Sequence, residues 1–195
     1  TDGKFTTWYV YDDLNRLYRT VLPDGTPPSD PYGNPSGYDN PYMEIAYDLV
    51  GNKIRERDAN GVETGYEYDS RNRLVEVVDN RGRIQKTYTY DKKGHPTKVT
   101  DISNNTVTSA YDSLGRLRKV TDPLTNSEEY QYDAVGNKTA VTDARGNTTN
   151  CSYNSLGWLT GVRQPLGNFS QYRYDANGNL VESIAPNNLV TQVRY

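Results

Sequence analysis

The side chains able to do chemistry are few, and their spacing does not suit it. His95 is the only histidine and Cys151 the only cysteine in 195 residues. Nucleophilic catalysis needs a base within hydrogen-bond reach of the nucleophile, and these two lie in separate segments. His95 stands between Gly94 and Pro96, which marks it as an exposed turn residue. Cys151 occupies a position that carries Tyr in most equivalent segments, which marks it as a small buried hydrophobe. A lone cysteine excludes an intrachain disulfide and a thiolate metal cluster.

Regularly spaced aspartates raise the question of calcium. The best candidate is "DANGNLVESIAP" from Asp175, with Asn177 and Asn179 at ligand positions. Leu180 stands where a calcium loop needs Gly, and Pro186 where it needs Glu. Each aspartate has a nearer use, which is to accept hydrogen bonds from the amides of its own turn. No catalytic, metal-binding or cofactor-binding residue is therefore expected, and the chain does not read as an enzyme.

The elements that carry these residues repeat. Tyr11, Tyr47, Tyr68, Tyr90, Tyr111, Tyr132, Tyr153, Tyr174 and Tyr195 open successive phrases, spaced by 21 residues apart from one interval of 36 and one of 22. Asp12, Asp48, Asp69, Asp91, Asp112, Asp133 and Asp175 follow directly, with Asn154 after Tyr153. Four residues after each Tyr come Asn15, Gly51, Asn72, Gly94, Gly115, Gly136, Gly157 and Gly178, all of types that tolerate positive φ. Asp-x-x-Gly fits a type I turn closed by a left-handed residue, a hairpin connection.

Two residues before the Tyr there is usually another, as in "YQYD" and "YRYD", so two rings share one face of a strand. A second strand follows, with Val77, Val99, Val120, Val141 and Val162 nine residues after their Tyr. A second turn comes next, with Gly61, Gly82, Gly146, Gly167 and Asn188 in the same role and Gly25 heading the series. Thr125 interrupts it, and Asn126 is expected to take the left-handed role one residue later. The unit of Tyr90 is expected to hold an extra residue in its second turn, "DISNNT". Each unit thus reads strand, turn, strand, turn.

Composition agrees with a turn-rich β protein. Leu, Ile, Val and Phe are too sparse for an ordinary core, but eighteen tyrosines can replace them in a sheet. A net charge of −3 argues against both disorder and a nucleic-acid or anionic-membrane partner. The sequence has no transmembrane run, so no membrane insertion is expected.

The Tyr-Asp pair, the period and the Gly or Asn turn residue, shared by eight units, resemble the YD-repeat or Rhs-repeat family. That resemblance implies an all-β fold of tandem hairpins of about 21 residues, forming one continuous, curled antiparallel sheet. It also implies a shell that encloses a toxin polypeptide in bacterial members. On this reading residues 1–195 are a single array, and the Tyr, Asp and Gly positions named above are its structural signature. The self-cleaving closing segment of complete shells is absent, and Asp122-Pro123-Leu124-Thr125, its nearest counterpart, is a repeat turn. Roughly 16–18 strands at ~4.8 Å each make a strip of about 80 Å, too little to enclose an ordinary domain.

Residues 26–42, "TPPSDPYGNPSGYDNPY", interrupt the first unit with five prolines and read as a surface loop. The expected partners are a polypeptide cargo or neighbouring shell segments, with self-association through open sheet edges. The expected setting is a secreted or cell-surface bacterial protein. The alternative reading is a cell-surface module that binds glycans through exposed tyrosines; otherwise those rings form cross-strand ladders that hold the sheet.

Overall fold

The computed structural model describes residues 7–22 and 42–194. Gly25, Tyr195 and residues 26–41 of the insertion lie outside them, while Tyr42 opens a strand. The described residues contain seventeen antiparallel strands of one sheet and no helix. The all-β hairpin array read from the repeat is the fold observed.

The chain divides into two compact units, one running to Tyr90 and taking in Val99–Asn105, the other formed by Asp91–Lys98 and the residues from Thr106 onward. The first contains β1 (Trp8–Tyr11), β2 (Leu17–Val21), β3 (Tyr42–Tyr47), β4 (Lys53–Arg57), β5 (Glu63–Tyr68), β6 (Leu74–Asp79) and β7 (Ile84–Tyr90). The division falls within β8 (Pro96–Asp101). The second contains β9 (Thr106–Tyr111), β10 (Leu117–Thr121), β11 (Ser127–Tyr132), β12 (Lys138–Thr142), β13 (Thr148–Tyr153), β14 (Leu159–Arg163), β15 (Phe169–Tyr174), β16 (Leu180–Ile184) and β17 (Val190–Gln192). Within each unit, strands pair with their neighbours in chain order.

Every first turn has the same hydrogen bonds. In the unit of Tyr132, the Asp133 amide donates to the Asn137 carbonyl at 3.0 Å, and the Gly136 amide to the Asp133 carbonyl at 3.3 Å. Gly136 closes the loop with φ 101°, and the register slips at Gln131/Tyr132. This is the bulged hairpin that Asp-x-x-Gly predicts. All eight residues four places after the Tyr have positive φ, Asn15 and Asn72 included.

Two turn details differ from expectation. Thr125 itself takes φ 69°, and Asn126 does not take over its role. The bonds Asp122 N to Asn126 O and Thr125 N to Asp122 O impose the same five-residue loop as elsewhere, so the position dictates the backbone even for a β-branched residue. The extra residue is not in the turn at Asp101, where Asn104 has φ 62° in the ordinary place. It lies in β7, where Val77 pairs with Lys86 and Val78 with Ile84, leaving Gln85 as a bulge.

Burial is shallow. Among the described hydrophobic residues only Val10, Val21 and Ala140 are buried, and no large side chain is fully so. Faces nevertheless alternate as the pattern requires: Tyr130 and Tyr132 are half-buried, and Gln131 between them is exposed. The recurrent valines face the residue two places before their Tyr, Val141 opposite Tyr130 and Val77 opposite Tyr66. Such cross-strand pairs, each worth roughly 0.2–1 kcal/mol, take the place of a central core.

Candidate functional site

The signature residues converge on the rim that carries the first turns. The pairing of strands joined by a second turn stops before it reaches this rim; β10 and β11 last pair at Lys119↔Glu129. Past that point the Tyr closes the gap. The Tyr132 hydroxyl donates to the Leu117 carbonyl oxygen at 2.9 Å. The same bond joins Tyr47 to Leu17, Tyr68 to Lys53, Tyr90 to Leu74, Tyr111 to Pro96, and Tyr153 to Lys138, at 2.7–3.0 Å.

The aspartates cap their own turns, and they also position a second side chain. Asp112 Oδ1 accepts from the amides of Leu114 and Arg116, both at 2.9 Å, while Oδ2 accepts from Arg116 Nε at 2.7 Å. The guanidinium so held lies over the ring of Tyr132, 4.7 Å from its centroid, and reaches the Asp133 carbonyl at 2.8 Å. Arg16 lies likewise over Tyr47 and Arg73 over Tyr90, each at 4.6 Å. Where Asn52, Asn137 and Asn179 fill the position, their amides donate to Asp48, Asp133 and Asp175 at 2.8–2.9 Å. Asn154 has no charge to offer, and the residue held there is Trp158, whose ring packs on Tyr174 at 5.5 Å.

These bonds favour ionised carboxylates. The Arg73 side chain holds Asp69 down to about 2, and the His95 side chain does the same for Asp91. Hydrogen bonds from its own turn, the Arg116 amide foremost, lower Asp112 as well.

His95 is not the exposed turn residue expected. Its Nδ1 meets Asp91 Oδ2 at 2.9 Å and its ring stacks on Tyr111 at 4.8 Å, so it fills the arginine position of the seam. Cys151 is half-buried opposite Val162 on the face that elsewhere carries Tyr. At the calcium candidate, Asp175 Oδ1 accepts from the amides of Asn177 and Asn179, so the carboxylate is engaged within its own turn. Among the described residues no three His, Cys, Asp or Glu side chains group together, and no helix is long and apolar enough to cross a membrane.

The tyrosines do not form the ladder of ring on ring that their alternation suggests. In each stacking contact among the described residues one ring belongs to His95 or Trp158. Two further tyrosines sit under lysines, Tyr66 under Lys53 and Tyr130 under Lys138. An electron-rich ring face attracts a cation more strongly than it does a second such face. Sequence reasoning missed the fifth residue after each Tyr. The signal was there: Arg, Asn, His and Trp all present N–H groups or a flat surface.

This architecture agrees with the comparisons to known proteins. The family model described as "Teneurin YD-shell" matches residues 36–191, and the chain belongs to that family. Among solved structures, the Tc holotoxin pore of Photorhabdus luminescens, in a form with mutated TccC3, resembles the chain with TM-score 0.69 at 18% identity, over 98% of this chain and 12% of that one. TcdB2-TccC3-Cdc42 gives 0.69 at 17% identity over 93% and 11%, and TcdB2-TccC3 gives 0.68 at 17% over 93% and 12%. The chain thus spans about an eighth of these relatives or less. No curated protein matches it in sequence.

Proposed function

We propose that the chain is a non-catalytic wall segment of a bacterial, exported YD shell that encloses or scaffolds a polypeptide. The observation that carries this reading is the seam. Six signature Tyr hydroxyls, together with the Asp-held side chains of Arg16, Arg73, Arg116 and His95, are spent on joining one hairpin to the next, which leaves the signature structural and the array extensible. The likeness to Tc-complex structures supports the same reading at the level of fold. On this view residues 1–195 act as one array, built into a much longer wall.

The test is protease protection in the full-length protein. Proteinase K added to the native protein should spare a polypeptide that it digests once Gly115→Val and Gly136→Val have opened the wall. Immediate digestion of that polypeptide in the native protein would remove enclosure and leave only scaffolding.

A second reading rests on β1, where Trp8, Tyr9 and Tyr11 are 38%, 59% and 48% exposed. Aromatic faces so presented suit a sugar ring. Saturable binding to a glycan array, lost in Tyr9→Ala with Tyr11→Ala, would favour it.

A further inference from the structure

Two turns share the sequence Asp-Ala-Asn-Gly: Asp58 to Gly61, between β4 and β5, and Asp175 to Gly178, between β15 and β16. They hold every Asn-Gly pair of the chain. Their main-chain bonds are alike. The Gly61 amide donates to the Asp58 carbonyl at 3.0 Å, and the Gly178 amide to the Asp175 carbonyl at 3.2 Å. Asn60 and Asn177 are both exposed, and the glycines that follow them have φ 80° and 87°. The surroundings differ. At Asp175, Asn179 Nδ2 donates to the carboxylate at 2.9 Å, and the indole of Trp158 lies against Gly178, 3.0 Å from where a Cβ would stand. At Asp58, Val62 takes the place of Asn179 and cannot make that bond. What lies against Gly61 is the Arg57 guanidinium, 4.2 Å from the Tyr42 ring centroid, with Nη2 3.2 Å from where a Cβ would stand.

We infer that Asn60 is a site of spontaneous conversion to aspartate and isoaspartate, and that the fold spares the equivalent Asn177. The reaction needs only water. The Gly61 amide nitrogen, which no Cβ hinders, gives up its proton to solvent and attacks Asn60 Cγ. The bond from Cγ to Nδ2 breaks, ammonia leaves with a proton from solvent, and a cyclic imide closes. Water then opens the imide at either carbonyl. One opening gives aspartate; the other gives isoaspartate, whose main chain runs through its former side chain. Attack requires local opening of the turn, because the Gly61 amide is donated to Asp58. The turn at Asp58 lacks the clamp that Asn179 supplies at Asp175, a difference worth a factor of about two to ten for one net hydrogen bond. Arg57 acts in the same direction, since its charge stabilises the anionic nitrogen and the oxyanion that forms on Cγ. The uncharged indole of Trp158 offers no such help to Asn177. Either product sets a carboxylate beside Arg57 in place of an amide.

Peptide mapping by mass spectrometry, on the chain held at neutral pH and physiological temperature, tests this. In urea, where the fold is gone, the two Ala-Asn-Gly triplets should convert at equal rates. In the native chain Asn60 should convert about threefold faster than Asn177 or more. Val62→Asn gives the Asp58 turn the side-chain amide that Asn105, Asn126 and Asn147 donate to their own aspartates, and it should slow Asn60 by a similar factor. Arg57→Gln removes the charge and should slow Asn60 in the native chain but not in urea. Circular dichroism will confirm that both variants keep their sheet. Equal native rates at the two sites, a faster Asn177, or an Asn60 rate that neither substitution slows would overturn the inference.

Discussion

The hydroxyl of Tyr132 and the carbonyl of Leu117 are bonded at 2.9 Å where the ladder between their strands has already ended. Antiparallel strands twist apart away from their turn, and the backbone cannot span the resulting gap. A phenol is long enough to do so, and its apolar body packs on the sheet while its tip donates. Phe would fill the same space without the bond.

Tyr132→Phe should therefore lower stability by about 0.5–1.5 kcal/mol, the usual net worth of one hydrogen bond. Urea denaturation followed by circular dichroism is the measurement. A variant equal in stability to the parent would show that the ring alone holds the seam.

Thr125 has φ 69°, the only β-branched residue with positive φ among the described ones. Thr125→Gly should stabilise the array by about 0.5–1 kcal/mol, because relief of the left-handed strain outweighs the added entropy of the unfolded chain. Gly136→Val is the converse. Nothing lies within 4 Å of the Cβ it adds, so its expected cost of about 1–2 kcal/mol or more is conformational. Equal midpoints for the two variants in the same denaturation series would contradict the left-handed assignment.

Acid should loosen the turns. Asp69 and Asp91 are held at about 2, below an ordinary 3.8. A carboxylate depressed on folding stabilises the fold at any pH above its unfolded value, and that stability is lost as pH falls towards the folded one. The melting temperature should be flat from about pH 7 to pH 5 and fall between about pH 4 and pH 2. A profile that stays flat to pH 2 would mean that the carboxylates do not hold the turns.

Arg116→Ala should destabilise more than Arg118→Ala. Arg116 bridges Asp112, the Tyr132 ring and the Asp133 carbonyl, whereas Arg118 lies exposed on β10. The ring contact alone contributes about 0.5–1 kcal/mol. The difference in urea midpoint between the two variants measures the seam.

The fold was legible because the repeat states its own turn chemistry. Gly or Asn four residues after each Tyr forecasts positive φ, and all eight have it. Thr125 misled because residue preference was read where neighbouring strands set the loop length. Gln85 misled because the longer interval was assigned to a turn, although a strand can absorb one residue as a bulge. The seam was half legible. The Asp-to-amide bonds are local and follow from Asp-x-x-Gly. The bonds of Tyr132 to Leu117 and of Arg116 to Tyr132 join separate hairpins, and no spacing within one unit reveals which atoms meet where a ladder ends.

With so little interior, the sheet has no centre whose loss would melt everything at once. Tension applied at β17 would load its short pairing with β16 first, then the turn behind it. Such an array should come apart like a zip, a unit of about 21 residues at a time, and give a sawtooth force trace instead of a single rupture. Growth by adding units and failure by shedding them are two aspects of the same construction.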